Sequence, residues 1–461
     1  DESEPLTFKD REILLQKPHL VVEGMILAGL VCGANRGYIY LRHEYVEQAE
    51  ALNAAIKEAE WLRVCGPDIL TGFSFQLSVF MSPGGYICGE QSALIEAMEG
   101  HRGQPRNKPP DLKSNGLFDK PTLVSNVETY AWVPGIAVES KAGDAEPTGE
   151  PMAAVLRFEA SAKQNWYASL GCQFDELGYR GARLFSICGD VKKPGVYELP
   201  IGAPLRELLN AAGGVIGGEA ELRALATSGP SGGFLPPKIS DKEAVNQFIR
   251  RLASERDKLK PKDQGGVEAD LAEKIVGVRN DLRSRPGDVR KLRDLQDLYL
   301  QLVDAPRKLK RLDAWLKILR PDDNVTPTEV DVLSTPLDID MFRILATISP
   351  DIMLGAGLAV FAGRSVDLLG LSVNATEFFS RESCGKCVPC RVGSGRLVEF
   401  GQTMLQGKLA ESDFGSTREV VQQLNIVMKA TSICGLGCVA PAPLVTLLTH
   451  FPEAVTSRKP S

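Results

Sequence analysis

Helical and strand periodicities alternate along the first third of the chain. Residues 38–41 read as a short strand, and Val46–Trp61 as a helix with Ala49, Leu52, Ile56 and Ala59 on one face. Phe73–Met81 alternates as a strand whose side chains point to two faces. The turn Ser82-Pro83-Gly84-Gly85 leads through residues 86–90 into a helix over Gln91–Met98. Strand–helix alternation of this kind predicts an α/β sheet, taken to extend over residues 1–180.

The pattern changes near residue 181. Residues 184–189 and 193–199 predict a hairpin, and a short helix over 205–212 ends at Gly213-Gly214. This is a compact α+β unit of ubiquitin-like size. From about residue 238 to 327 the chain turns helical and charged. Leu292, Leu295, Leu298 and Leu302 recur at helical spacing, as do Leu309, Leu312 and Leu316, with breaks at Pro286-Gly287 and Ala305-Pro306. A helical hairpin or small bundle inserted between two strands is expected. Residues 241–320 hold 20 Lys and Arg against 14 Asp and Glu, so the insertion is either a solvated excursion or a docking arm for an acidic partner subunit. Residues 332–333 and 339–345 rejoin a core, 358–361 form a last strand, and the chain from 375 to its end is helical.

A length of 461 residues suggests about three domains. With 43% hydrophobic and 24% charged residues the composition is that of a globular protein, and a net charge of −6 gives no reason to expect a nucleic-acid partner. No apolar run approaches the ~20 residues of a membrane span. The longest candidate, 352–371, is interrupted by Gly355, Gly357, Gly363, Arg364 and Asp367. The sequence opens Asp1-Glu2-Ser3-Glu4-Pro5, without Met or a basic leader, and is read as lacking a signal peptide. Thiolate chemistry without a secretion signal favours a reducing cytoplasm.

The cysteines change the picture most. Cys384, Cys387 and Cys390 stand two residues apart from one another, and Cys434 follows at a distance. Three closely spaced thiolates and one remote thiolate form the ligand pattern of a 4Fe-4S cluster. Structural zinc sites more often arrive as two C-x-x-C pairs, and disulfide scaffolds are small and Cys-dense, whereas here ten cysteines are spread over 461 residues. Gly385 allows close backbone approach, Pro389 stiffens the loop, and Lys386 and Arg391 offset negative charge. Cys438 is an alternative ligand one helical turn beyond Cys434. Cys32, Cys65, Cys172 and Cys188 are expected to be small buried hydrophobes. His19, His43, His101 and His450 are scattered without ligand spacing, and His101 reads as a surface residue.

A second chemical signal lies at residues 84–96, where a Gly-rich turn opens a helix. Such turns let backbone amides approach a phosphate or an aromatic ring system. Pro-stiffened loops at 105–110 and 121–129 carry Lys, Asn and Thr, either lining a nucleotide cleft or lying as ordinary surface loops.

Taken together these strings resemble the flavin subunit of the NADH–quinone oxidoreductases and the related diaphorase subunits of NAD-linked formate dehydrogenases and bidirectional hydrogenases. The resemblance rests on Asp1 to Pro5 with Thr7 to Arg11, Tyr86 to Glu90, Lys108-Pro109-Pro110, Asn126 to Thr129, Gly189-Asp190-Val191 with Pro194-Gly195-Val196, and the cysteine motif. It covers nearly the whole chain apart from the helical insertion. It implies an α/β FMN-binding domain over 1–180, a β-grasp (ubiquitin-like) domain of the soluble-ligand-binding type over 181–364 interrupted at about 238–327, and a helical 4Fe-4S-binding domain over 365–461. It further implies that NAD(H) or NADP(H) passes hydride to FMN, which releases electrons singly to the cluster. Carried over by position, Asp1, Glu2, Tyr86, Gly89, Glu90, Ser125, Asn126 and Thr129 surround FMN. Glu4, Gln91 and Lys108 face the nicotinamide coenzyme, and Cys384, Cys387, Cys390 and Cys434 hold the cluster. The implied partners are a small thioredoxin-like 2Fe-2S subunit and a larger iron–sulfur or catalytic subunit. The implied location is the cytoplasm, or the cytoplasmic side of a membrane complex.

The sequence departs from the family pattern in places. The family's Gly-rich FMN loop is expected upstream of Asp1. Gln91 stands where many relatives have Glu, which predicts a relaxed preference for NADH over NADPH, because an acid there would repel a 2′-phosphate. Asp111 replaces an aromatic residue after Lys-Pro-Pro, and Ser125 replaces a common Asn. The second and third of these keep an alternative open: an FMN and iron–sulfur wiring subunit with weak or no nicotinamide activity, relaying electrons between partners.

Overall fold

The computed structural model describes residues 1–70, 72–138, 167, 179, 181–259, 267–284, 291, 294–295, 297–298, 305–319, 327–346, 349 and 351–458. Helices α1 (Lys9–Gln16) and α2 (Pro18–Cys32) lead into β1 (Arg36–Leu41), α3 (Val46–Trp61), β2 (Gly66–Leu70) and β3 (Phe73–Met81). A 3-10 turn at Tyr86–Gly89 precedes α4 (Gln91–Met98), and α5 (Val127–Val138) follows a long loop. The sheet order is β1-β3-β2. Strands β1 and β3 run parallel in the register Arg36↔Gln76 to Leu41↔Met81. Leu52, Ala55, Ile56 and Ala59 of α3 pack with Ile39, Leu41, Phe75 and Leu77 in one core, the outcome of a helical stripe meeting one face of an alternating strand. Gly33 ends α2 in the left-handed conformation at φ 69°.

The middle of the chain forms a second sheet. Strands β4 (Ala182–Gly189) and β5 (Gly195–Pro200) make an antiparallel hairpin, α6 (Leu205–Ala211) crosses its face, and β6 (Leu222–Pro230) follows. With the late strand β9 (Gly357–Ala362) the order is β5-β4-β9-β6, β4 and β9 being parallel. Between the short paired strands β7 (Lys238–Ile239) and β8 (Val330–Asp331) the chain runs out through α7 (Lys242–Leu259), α8 (Val267–Ser284) and α9 (Ala305–Leu319). Val245, Phe248, Ile249 and Leu252 form one stripe on α7, and Phe248 meets Trp315 of α9 edge-to-face at 5.2 Å. These residues share one core with Leu208, Leu225, Phe342 and Val360, so α7 and α9 are packed into the domain rather than extended from it. Leu292 and Leu302 lie outside the described residues, as does Cys172.

After α10 (Ile339–Leu345) and β9, the chain is helical: α11 (Leu368–Glu382), α12 (Val388–Leu405), α13 (Phe414–Thr431), α14 (Gly435–Val439), α15 (Ala442–His450) and α16 (Glu453–Thr456). Among the described residues no single helix is long and apolar enough to cross a membrane. One expectation, that the lone cysteines are buried, is corrected. Cys32 is exposed, because it is the last residue of α2, where the helix ends beyond its packed face, and Cys188 is only partly covered, while Cys65 is buried. His450, scattered in sequence, is enclosed beside Ser349 (Nε2 to Oγ 2.6 Å), and burial, with the nearby Arg418, holds its imidazole down to about 4.

Candidate functional site

The acidic N-terminal loop is fixed from below by α1. The Glu2 carboxylate accepts from the backbone N–H groups of Asp10 (2.8 Å) and Arg11 (3.0 Å) and from the Tyr45 hydroxyl (3.1 Å). It thereby satisfies donors at the start of that helix. Burial pushes the Glu2 carboxyl upward. Lys9 is buried between Asp10 (2.6 Å) and Glu128 (2.8 Å) and donates to Asn126 Oδ1 at 3.2 Å. Asn126 Nδ2 in turn donates to Asp10 at 2.8 Å. Burial pulls the Lys9 ammonium down, but the charges of Asp10 and Glu128 outweigh it and the net direction is up. Asp1, Glu2, Asp10, Ser125 and Asn126 line a cavity of about 700 Å³, which also includes Arg42 and Tyr45. Thr129 is exposed on α5 outside that lining. Lys9, Asp10 and Glu128 belong to the strings that carry the resemblance but not to the expected site. Their signal was a Lys-Asp pair beside an otherwise acidic loop, with no local hint of burial.

The remaining expected residues lie outside that cavity lining and fall into separate contacts, Tyr86 with Glu4 and Glu90 near Lys108. Gly84 and Gly85 take φ of 98° and 105°, a conformation open to glycine, and swing Tyr86 beneath the acidic segment. The Tyr86 hydroxyl donates to Glu4 Oε2 at 2.6 Å, and the Ser231 N–H donates to Glu4 Oε1 at 3.0 Å. Burial pushes the Glu4 carboxyl up, and these two bonds oppose that rise. The Tyr86 ring stands edge-on to Phe378 (5.3 Å) and Phe379 (5.8 Å), and its N–H donates to Glu382 at 2.8 Å. Gly89 faces the Asp1 carbonyl: a Cβ there would lie 4.0 Å from that oxygen. Glu90 caps α4, accepting from Ala93 N–H at 2.9 Å, and the Lys108 ammonium lies 3.8 Å from its carboxylate. Gln91 is exposed at the first position of α4.

The four expected cluster cysteines come from three places and line one cleft, together with Ile87, Ser383, Gly385, Lys386, Ile433 and Leu436. Cys384 lies in the loop after α11, Cys387 caps the N-terminus of α12, Cys390 sits in its first turn, and Cys434 caps α14. Cys390 is pushed up to about 11 by burial and by the neighbouring thiolates, and Cys434 is raised for the same reasons. A bound cationic metal centre relieves this cost at Cys390 and Cys434 by taking their thiolates as ligands. A tetrahedral zinc site, with Zn–S about 2.3 Å, would bring its sulfurs to about 3.8 Å from one another. Among the described residues no three of these sulfurs lie mutually within 4.8 Å. The Ser383 hydroxyl lies 3.2 Å from Cys390 Sγ. Cys438 is turned toward the Lys429 carbonyl at 3.7 Å and is not among the residues lining the cleft. Glu96, Glu99 and His101 do cluster within 4.8 Å, but Arg106 pairs with both carboxylates.

Comparison with known proteins places similarity along nearly the whole chain. Residues 1–135 match the Nuo51 FMN-binding domain family, 184–235 the SLBB domain, and 371–458 the NADH-ubiquinone oxidoreductase-F iron-sulfur binding region. The chain is 30% identical over 455 residues to the NADH-quinone oxidoreductase F subunit of Aquifex aeolicus (strain VF5), covering 98% of this chain and 75% of that protein. It is 26% identical over 452 residues to the NADP-reducing hydrogenase subunit HndC of Solidesulfovibrio fructosivorans, covering 98% of this chain and 66% of that protein. The crystal structure of an NAD+-reducing NiFe-hydrogenase in the H2-reduced state superposes with a TM-score of 0.62 at 25% identity, with 100% of this chain and 55% of that chain covered.

Proposed function

The chain belongs to the family of NADH-quinone oxidoreductase F subunits, and on that footing we propose that it is the electron-input subunit of a multi-subunit oxidoreductase, taking hydride from NAD(P)H and delivering single electrons to a 4Fe-4S cluster. One observation carries the reading: Tyr86 is bonded through its hydroxyl to Glu4 and through its N–H to Glu382 (2.6 and 2.8 Å), two residues before Cys384. The acidic loop and the thiol cleft are thus joined by a single residue, and Ile87 lines the cleft itself. Hydride carries two electrons and an iron–sulfur centre accepts one, so a bound FMN supplies the conversion between them.

The chain's own residues have separable tasks in this scheme. Cys384, Cys387, Cys390 and Cys434 hold the cluster. Asp1, Tyr86, Gly89, Glu90, Ser125 and Asn126 surround the flavin, Glu2 contributes by holding α1 beneath the loop, and Thr129, outside the cavity lining, does not belong to the set. Glu4, Gln91 and Lys108 face the coenzyme, with Lys108 kept near Glu90. The domains are 1–180, 181–364 and 365–461. The middle one is of β-grasp type, its parallel β4–β9 pair flanked by the hairpin partner β5 and by β6. The partners are a thioredoxin-like 2Fe-2S subunit and a larger iron–sulfur or catalytic subunit, in the cytoplasm or on the cytoplasmic side of a membrane complex.

Anaerobic spectra of the purified assembly test the proposal. Bleaching of the flavin absorbance on adding NADH or NADPH is the expected result. Bleaching by dithionite alone identifies a wiring subunit instead, and a protein carrying zinc at these thiols overturns the scheme.

A further inference from the structure

The segment 102–108, which ends at Lys108, is held from two sides. Toward its own domain, Arg106 N–H donates to Ser92 Oγ at 2.9 Å, and the Arg106 guanidinium reaches Glu99 at 2.8 Å and the Gly116 carbonyl at 3.1 Å. Toward the helical domain there are two reciprocal straps. Arg102 Nη2 donates to the Cys384 carbonyl at 2.9 Å, and Lys386 Nζ donates to the Pro105 carbonyl at 2.6 Å. Each strap joins a cation of one loop to a backbone carbonyl of the other, and they cross between segments about 280 positions apart in sequence. Gly103 fits the segment against its own domain: a Cβ there would come within 3.1 Å of Cys88 Sγ. Backbone carbonyls engaged by charged donors make stronger contacts than neutral pairs.

We propose that Arg102 and Lys386 are positioning residues that clamp the Lys108 loop to the cysteine loop, so that affinity for the nicotinamide coenzyme is set in part from the iron–sulfur domain. The inference rests on the coenzyme-facing role assigned to Lys108 above. Neither side chain needs to touch the coenzyme. Loss of a strap frees the loop, and coenzyme binding must then order it again. Linkage makes the effect reciprocal: bound coenzyme favours the strapped arrangement and so holds the cysteine loop in place.

The test uses the whole cluster-loaded and flavin-loaded chain in its assembly, with the variants Arg102→Met, Lys386→Met and Lys386→Arg. The readouts are the equilibrium Kd for NAD+ and the electron paramagnetic resonance signal of the reduced cluster. Each Met variant is expected to bind NAD+ roughly fivefold more weakly, the loss of about one hydrogen bond, with the cluster signal retained. Lys386→Arg restores most of the affinity, and saturating NAD+ slows removal of iron by a chelator in the wild-type protein but less so in Arg102→Met. An unchanged Kd in both Met variants overturns the inference, as does loss of iron from Arg102→Met, which would make that residue a support of the cluster alone. These failures are distinct from failure of the functional reading, in which the unmodified assembly shows no flavin bleaching with NADH or NADPH.

Discussion

Replacing Tyr86 with Phe removes one hydroxyl and leaves two other contacts of that residue in place. The ring keeps its edge-on packing against Phe378 and Phe379, and the backbone N–H still reaches Glu382. What is lost is the 2.6 Å bond to Glu4 Oε2. Burial already pushes the Glu4 carboxyl up, and the Tyr86 hydroxyl is the first of the contacts that restrain it. A hydrogen bond to a charged group contributes about 1.5–3 kcal/mol, and one pH unit corresponds to about 1.36 kcal/mol. The Glu4 carboxyl in the variant therefore titrates higher than in the parent, since the bond that favours its ionised form is gone. With ionised Glu4 facing the coenzyme, the acid limb of kcat/KM for NADH, measured with ferricyanide as acceptor, moves to higher pH. Glu4→Gln removes this limb. An acid limb in Tyr86→Phe that stays within a few tenths of a pH unit of the parent's refutes the assignment. The same group shapes stability with a definite sign. Its folded pKa lies above its unfolded value, so the native state binds the extra proton between the two, and its contribution to stability falls as pH rises through that window.

Three other outcomes follow from the same contacts. Cys434→Ser is expected to lose most of the bound iron and the cluster's resonance signal, whereas Cys438→Ser retains both; iron analysis distinguishes them. Lys9→Met leaves Asp10 and Glu128 buried without their cation and should destabilise the first domain by about 3–5 kcal/mol, read as a fall in the urea midpoint of its flavin fluorescence transition; a loss under about 1 kcal/mol would contradict the buried pairing. In the parent protein the Lys9 contribution is fully present below its unfolded pKa and disappears as pH rises through the higher folded one. Gln91→Glu should raise the preference for NADH over NADPH several-fold, since a carboxylate there would repel a 2′-phosphate, and equal turnover ratios in parent and variant would remove Gln91 from the coenzyme site.

The sequence was most legible where chemistry is local. The Cys384–Cys387–Cys390 spacing is a property of seven consecutive residues, and the stripe on α3 is a property of one helix. Contacts between distant segments were hidden. Asn126 meets Lys9 across 117 positions, and Ser231 meets Glu4 across 227, so nothing in either neighbourhood announces the pair. Burial of single polar side chains was hidden for the same reason. His450 ends a helix whose preceding residues are buried, and it meets Ser349 across 101 positions at 2.6 Å. Cys32 shows the converse, since its apolar neighbours Leu30 and Val31 are themselves exposed at the end of α2. Apolar context in sequence predicts burial only when a tertiary partner arrives to cover that turn.

The seam between the three domains is made by close backbone approach as much as by side chains. Gly229, at φ 54°, would place a Cβ 2.3 Å from the Pro5 carbonyl, and Gly357 would place one 2.3 Å from Thr7 Oγ1. The Ser186 hydroxyl lies 3.3 Å from the Leu6 carbonyl. The middle domain therefore does more than link its neighbours: its β6 turn and the start of β9 form the floor on which the acidic loop rests. That floor holds Glu4 through the Ser231 N–H, and Glu4 holds Tyr86, whose backbone is tied to the helix ending beside Cys384. A methyl group at Gly229 would lift the loop from this floor, meeting both the Pro5 carbonyl and, at 2.9 Å, Glu4 Oε1. The physical consequence is that the acid site and the thiol cleft keep their separation only while all three domains are docked. This gives a reason for one chain to carry all three: distance between a two-electron and a one-electron centre is fixed more firmly by a packed seam within a chain than by an interface that must reassemble.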